Sequence, residues 1–271
     1  MNCLDALGFS ASEPAKKYAA DGEPYAADMR PAARTSLAPV IAAIGGGGKT
    51  TLLASLAAEL REQGARVVLA TTTHFMPFAG VHTVASSNKA KVARVLARDN
   101  IACAAAPAAG RAGAAGKLGP SPISLDELRR VADVVLVEAD GSKCLPLKLH
   151  ASHEPVVPTG ATAVVCVLGA SGFGQPLAST CHRAELAAGL LGIDVVATAT
   201  PELVARLLGA EMARGIIAPT HIIVNQVEDD ATRKQAAAFA AELRRRGVAI
   251  PVLAGSIRGH ALEQLVSIVW G

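Results

Sequence analysis

Four consecutive glycines followed by Lys-Thr-Thr, from Gly45 to Thr51, lie between an apolar run (Ile41 to Ile44) and an amphipathic segment opening at Leu52. The order predicts a strand, a phosphate loop and a helix. Glycines let backbone N–H groups approach an anion with no Cβ in the way, and a helix N-terminus adds unpaired donors and partial positive charge. Gly45, Gly46, Gly47, Gly48, Lys49, Thr50 and Thr51 are therefore candidate nucleotide-binding residues. Lys49 would lie along the β- and γ-phosphates and the Thr50 hydroxyl would ligate Mg²⁺. A glycine turn without a ligand and a dinucleotide fingerprint are the rival readings. The fingerprint needs glycine where Thr50 stands and an acid ending the next strand, but no Asp or Glu occurs between Glu62 and Asp99.

A chain of 271 residues holds one large α/β domain or two small ones. With 51% hydrophobic and 18% charged residues it belongs with globular proteins, and with only 3% aromatics its core must be aliphatic. A formal charge of +3, with the basic residues dispersed, argues for neither a nucleic-acid nor a membrane surface. The compact basic cluster, Arg244 to Arg246, reads as a helix C-terminal turn. Cys3, Cys103, Cys144, Cys166 and Cys181 are odd in number and lack C-x-x-C spacing. This suggests reduced thiols in a cytoplasm. No signal-peptide pattern or apolar stretch long enough to span a bilayer is evident, so a soluble cytoplasmic protein is expected.

Residues 1–37 read as an N-terminal arm, partly irregular, with one short helix at Leu4 to Phe9; the arm either is mobile or docks on the domain. Residues 38–271 read as one doubly wound, mostly parallel α/β domain of the phosphate-loop type. Leu52, Leu56 and Leu60 share a helical face that Gly64 ends, and Ala65 to Ala70 is a buried second strand. It runs into Thr71-Thr72-Thr73-His74, at the sheet edge that faces the ligand crevice. Threonines are also common β-formers. Asn88 to Asp99 has helical spacing, Ile101 to Ala105 a third-strand pattern, and Pro107 to Pro122 the composition of a surface loop or lid. Ser124 and Glu127 have capping-box spacing.

Val134 to Glu138 is an apolar strand ending in carboxylates, as a Walker-B strand does. Glu138 would hold Mg²⁺ through water, and Asp140 would polarise an attacking group or complete the metal shell. Ser142, Lys143 and Lys148 follow, then His153 and Glu154; they are candidate contacts to an anionic substrate, or a solvated loop. Ala163 to Leu168 is a further strand, Gly169 to Gly174 a flexible turn, and Cys181 to Glu185 a helix start. Arg183 there is either a surface residue or a charge-stabilising arginine. Thr200-Pro201 starts another helix. His221 to Glu228 is a late strand with Asn225 as a base contact, Asp230 to Arg246 a helix closed by Gly247, Val248 to Leu253 the final strand, and Ala261 to Trp270 the last helix.

The short Gly45-x-x-Gly48-Lys49-Thr50 form resembles the loop of Mur-type ligases, Ala43 standing where the longer pattern has glycine. Glu138-x-x-Gly141 resembles the D-x-x-G switch of GTPases, and Asn225-Gln226-Val227-Glu228 departs from their N-K-x-D base reader, which favours ATP over GTP. Together, Gly45 to Thr51, Thr71 to His74, Glu138 to Ser142, Pro146 to Lys148, His153 to Pro158, His182-Arg183 and Asn225-Gln226 resemble the YqeC-like family of selenium-dependent hydroxylase accessory proteins. Leu4 to Gly8 resembles that family's opening helix, while the segment between Phe9 and Leu37 reads as an insertion and Glu228 stands where many relatives carry Asp. The resemblance implies nucleotide binding and a role in maturing a molybdenum hydroxylase cofactor, with the hydroxylase or its maturation proteins as partners. The expected reaction is Mg²⁺-dependent NTP hydrolysis or phosphotransfer. A small-molecule kinase or Mur-like ligase, and a nucleotide-gated chaperone with little turnover, are the alternatives.

Overall fold

The computed structural model describes residues 1–9, 37–108 and 116–266. The strands are β1 (Val40–Gly45), β2 (Val67–Thr71), β3 (Thr83–Val84), β4 (Ile101–Ala104), β5 (Ala106–Pro107), β6 (Leu118–Gly119), β7 (Val134–Glu138), β8 (Leu147–Lys148), β9 (Ala163–Gly169), β10 (Cys181–His182), β11 (His221–Asn225), β12 (Val252–Ser256) and β13 (Ala261–Val266). The helices are α1 (Cys3–Leu7), α2 (Lys49–Glu62), α3 (Lys89–Asp99), α4 (Leu125–Val131), α5 (Leu177–Thr180), α6 (Ala184–Leu191), α7 (Pro201–Ala213) and α8 (Asp230–Arg245).

Among the described residues, nine strands form one sheet in the order β13-β12-β11-β9-β1-β7-β2-β4-β3. All neighbours run parallel except β12 and β13. This is the doubly wound α/β architecture expected. Every residue of β1, β2 and β7 is buried, as helices on both faces require. Opposite faces of β1 enter separate cores: Ile41 and Ala43 pack with Leu52 and Leu56 of α2, whereas Ala42 and Ile44 pack with Leu207 and Phe239 of α7 and α8. Side-chain alternation along the strand produces that division.

The helix starts follow their cap chemistry. Ser124 and Glu127 form the capping box on α4, and Thr200 caps α7 with Pro201 in its first turn. The described beginning of the N-terminal arm is docked. Leu4 is fully buried, and Leu262 N–H donates to Met1 O at 3.0 Å. Residues 10–36, the rest of the arm, lie outside the described residues.

Several boundaries differ from expectation. Ala261 to Val266 is an antiparallel edge strand, not the start of a last helix, because Ile257 to His260 makes a tight turn that returns the chain along β12. A short apolar run does not distinguish the two forms by itself. Residues 267–271 lie outside the described residues. The strand expected from Val248 begins at Val252, since Val248 N–H is used by Leu243 O in closing α8. Cys181 and His182 are a strand paired with Leu147 and Lys148, so α6 opens only at Ala184. Thr83–Val84 inserts an unexpected edge strand, which makes Ile101–Ala104 the fourth. Within the expected surface loop, Leu118 is buried and exchanges hydrogen bonds with Phe75.

Candidate functional site

Parallel register brings the C-terminal ends of β1, β2, β7, β9 and β11 to one edge. Ala43 lies opposite Glu138, Thr71 opposite Glu138, Gly45 opposite Val167, and Asn225 opposite Gly169. The glycine run crosses this edge and enters α2 at Lys49.

Close packing demands the glycines. A Cβ on Gly45 would strike Val167 O, one on Gly47 the Gly169 backbone, and one on Gly48 the Asn225 carboxamide. On Gly46 it would meet Leu145 O and Pro146 O at 2.7 Å. Three loop amides are already engaged: Gly45 N–H with Asp140 Oδ2 (2.8 Å), Gly46 N–H with Val167 O (2.8 Å) and Gly47 N–H with Leu145 O (3.2 Å). The donors left for an anion are those of the α2 N-terminus, Gly48 to Thr51, which lack acceptors among the described residues. The cradle is thus narrower than the whole glycine run.

Thr50 Oγ1 donates to Glu138 Oε2 at 2.8 Å. Burial, only partly opposed by Lys49 and the Thr50 bond, raises the Glu138 pKa. A hydroxyl and a carboxylate meeting where phosphates would lie are an all-oxygen donor set, which suits a hard cation such as Mg²⁺.

Asp140 has no exposed surface. Besides Gly45 N–H, its oxygens face Lys49 Nζ (3.1 Å), Lys148 Nζ (3.3 Å) and His150 Nε2 (2.9 Å). Burial would push its pKa up, but the His150 bond and the two lysines hold it well below the carboxylate range. It anchors the loop and Lys49 from beneath; Lys49 Nζ also donates to Gly45 O at 2.5 Å. His150 Nδ1 lies 3.2 Å from both Glu211 oxygens, and His150 N–H donates to Glu211 Oε1 at 2.7 Å. With ionised carboxylates at both ring nitrogens, the doubly protonated ring is the form that lets each nitrogen donate. Burial opposes this charge, yet the two carboxylates raise its pKa.

The other expected residues are distributed around this centre. Asn225 Nδ2 donates to Gly47 O (2.8 Å) and its Oδ1 accepts from Ile257 N–H (2.9 Å), so the carboxamide braces the loop. Lys148 is buried, bonding Gly141 O at 2.6 Å and Glu154 at 3.2 Å. Arg183 Nε donates to Glu154 Oε2 at 3.0 Å. Burial would raise the Glu154 pKa, but Arg183 and Lys148 hold it at about 2. Thr71 Oγ1 donates to Glu138 O and Thr72 Oγ1 to Val156 O, while the buried Thr73 hydroxyl has no partner among the described residues. His74, Lys143 and His153 are exposed and Ser142 is half-buried. No group of three or more His, Cys, Asp or Glu suited to a metal occurs among the described residues.

His150 and Glu211 escaped the sequence reading. A signal existed for Glu211, which follows Leu207 and Leu208 at helical spacing and so falls on the buried stripe of α7. A carboxylate there needs a buried partner.

The fold and the site define a phosphate-loop α/β protein of the nucleotide-binding class. Residues 41–185 match the model of the family described as YqeC protein, and the chain belongs to that family. The YqeC protein of Escherichia coli strain K12 is 36% identical over 165 residues, which are 59% of this chain and 63% of that relative. The match therefore spans less than two thirds of the relative's length. Among solved structures, chloroplast FtsY from Physcomitrella patens aligns with 86% of this chain and 64% of its own, at TM-score 0.41 and 14% identity. The cell division protein FtsY from Thermotoga maritima gives 86% and 66%, TM-score 0.41 and 18% identity. At these scores neither structure bears on ligand or reaction.

Proposed function

We propose that the chain binds a nucleoside triphosphate with Mg²⁺, ATP rather than GTP, and hydrolyses it or transfers its terminal phosphoryl group in service of molybdenum hydroxylase maturation. The Thr50–Glu138 hydrogen bond at the head of α2 carries the reading, because it joins loop and carboxylate strand where a metal–phosphate complex would sit. The α2 amides and Lys49 bind phosphate oxygens, Thr50 and Glu138 hold the metal, and Asp140 fixes Lys49. Bound Mg²⁺ would neutralise phosphate charge and lower the cost of its redistribution. The preference for ATP and the link to selenium-dependent hydroxylases and their maturation proteins come from the family resemblance and the Asn225 to Glu228 segment. No helix among the described residues is long and apolar enough to cross a membrane, and all five cysteines are free. Both fit the cytoplasmic location included in this proposal.

A thermal-shift panel of nucleotides with Mg²⁺ tests it. ATP should raise the melting temperature of the wild type and not of Lys49→Ala. Glu138→Gln should keep binding and lower turnover by about 10²-fold or more. A wild type indifferent to every nucleotide refutes the reading. Phosphotransfer to a second substrate is favoured over plain hydrolysis by Lys148, buried against Asp140 and Glu154, and by Arg183 on the same Glu154.

A further inference from the structure

The turn from Ser142 to Pro146 lies directly against the phosphate loop, since Leu145 O accepts from Gly47 N–H and Pro146 O from Gly169 N–H at 2.9 Å. Lys148 and Glu154 link it to the corner between β10 and α6: Lys148 bonds Gly141 O, just before the turn, and Glu154, which accepts from Arg183 at that corner. Three non-glycine residues in these two segments hold left-handed backbone: Lys143 (φ 51°), Cys144 (φ 63°) and Arg183 (φ 71°). Such conformations persist where their surroundings fix them, and they gather at ligand sites.

The charges are unbalanced. Lys148 is consumed by Gly141 O, Asp140 and Glu154. Arg183 bonds Glu154 only through Nε, and its terminal nitrogens have no partner among the described residues. Lys143 and the His182 ring likewise have none among the described residues. Asp140 is committed to Lys49, Lys148 and His150, and Glu154, already shared between Lys148 and Arg183, is the one carboxylate paired with Arg183 among the described residues. Partial burial and the charges of Lys148, Arg183 and Lys143 together press the His182 pKa below its usual value.

We propose that the surface these two segments form binds an oxyanion, a carboxylate or phosphate group, of a second small-molecule substrate. Lys143 and Arg183 are its binding cations and His182 is a hydrogen-bond donor recruited when the anion arrives. The assignment deepens the proposed nucleotide function and rests on it, because the turn that carries Lys143 adjoins the glycine loop through Leu145 O and Gly47 N–H. Arg183 suits the role: one edge of its guanidinium is fixed by Glu154, which leaves the other preorganised.

Histidine NMR on the full chain tests the site. With Mg²⁺ and a non-hydrolysable ATP analogue saturating the loop, inorganic phosphate is titrated in one arm and acetate in another, with ionic strength held constant by chloride. The His182 signal is assigned by its absence in His182→Asn. It should shift with saturation in one arm or both, its pKa rising by ~1 unit. The saturating arm names the oxyanion class. Lys143→Asn and Arg183→Asn, which keep a side chain tolerant of left-handed backbone, should each weaken the response by about 10-fold. A response that never saturates in either arm, or is unchanged in both variants, overturns the proposal. Nucleotide binding is read separately by thermal shift. Should it fail, the same titration without nucleotide on Lys49→Ala still decides the proposed surface by the His182 response alone.

Discussion

Two buried carboxylates tie distant parts of this chain together by different chemistry. Asp140 gathers Lys49, Lys148 and His150 around itself, and only one of its partners, Gly45 N–H, is neutral backbone. Glu59, on α2, accepts from Cys3 N–H at 3.1 Å and Leu4 N–H at 2.8 Å, and meets His260 Nδ1 at 3.0 Å. Glu59 is thus an N-terminal cap supplied to α1 from another element, using the unpaired donors any helix start offers. Asp140 holds mobile charges at fixed places, whereas Glu59 holds a segment of chain. One carboxylate prepares a site and the other closes a seam.

The largest effect should come from Asp140→Ala, which strands two buried lysines and an imidazolium. A loss of ~3–5 kcal/mol is expected in urea denaturation, together with loss of the nucleotide-induced thermal shift. If binding survives, Asp140 does not organise Lys49 and the contrast fails. Glu59→Ala should cost ~1–3 kcal/mol, the penalty for buried amides left without acceptors, with the nucleotide shift intact.

A finer probe is pH. The lowered pKa of Asp140 means that its contribution is present above its ordinary value of 3.8 and disappears as the pH falls toward the folded value. His150 behaves oppositely: its raised pKa gives a contribution complete below 6.5 and lost as the pH rises through the folded value. The wild-type denaturation midpoint should therefore fall on both the acid and alkaline sides. His150→Gln should flatten the alkaline limb. An unchanged limb would mean that His150 is not the imidazolium its contacts require.

The same contrast explains what could be read in advance. That the loop, Thr50 and Glu138 would meet was legible because a phosphate-loop pattern and an acid-tipped strand have short fixed spacings. Asp140 stood out as a candidate but not as an anchor, since its partners Lys148 and His150, and Glu211 on the far side of His150, meet only after β8 and α7 are placed. Glu59 offered no signal, being one of two acids on a helix whose apolar stripe was already explained. At the far end, the pattern of β13 alone suits a helix as well as a strand, because its apolar residues are few and the decisive constraint is the Ile257 to His260 turn.

Asn225 joins Gly47 O to Ile257 N–H, so the loop cannot lift without loosening a backbone proton that lies 210 residues along the chain from Gly47. That proton is a clock for the loop. Its exchange with deuterated solvent should run at the frequency of loop opening and slow when nucleotide fills the cradle. The site's breathing can then be timed at a position that touches no ligand.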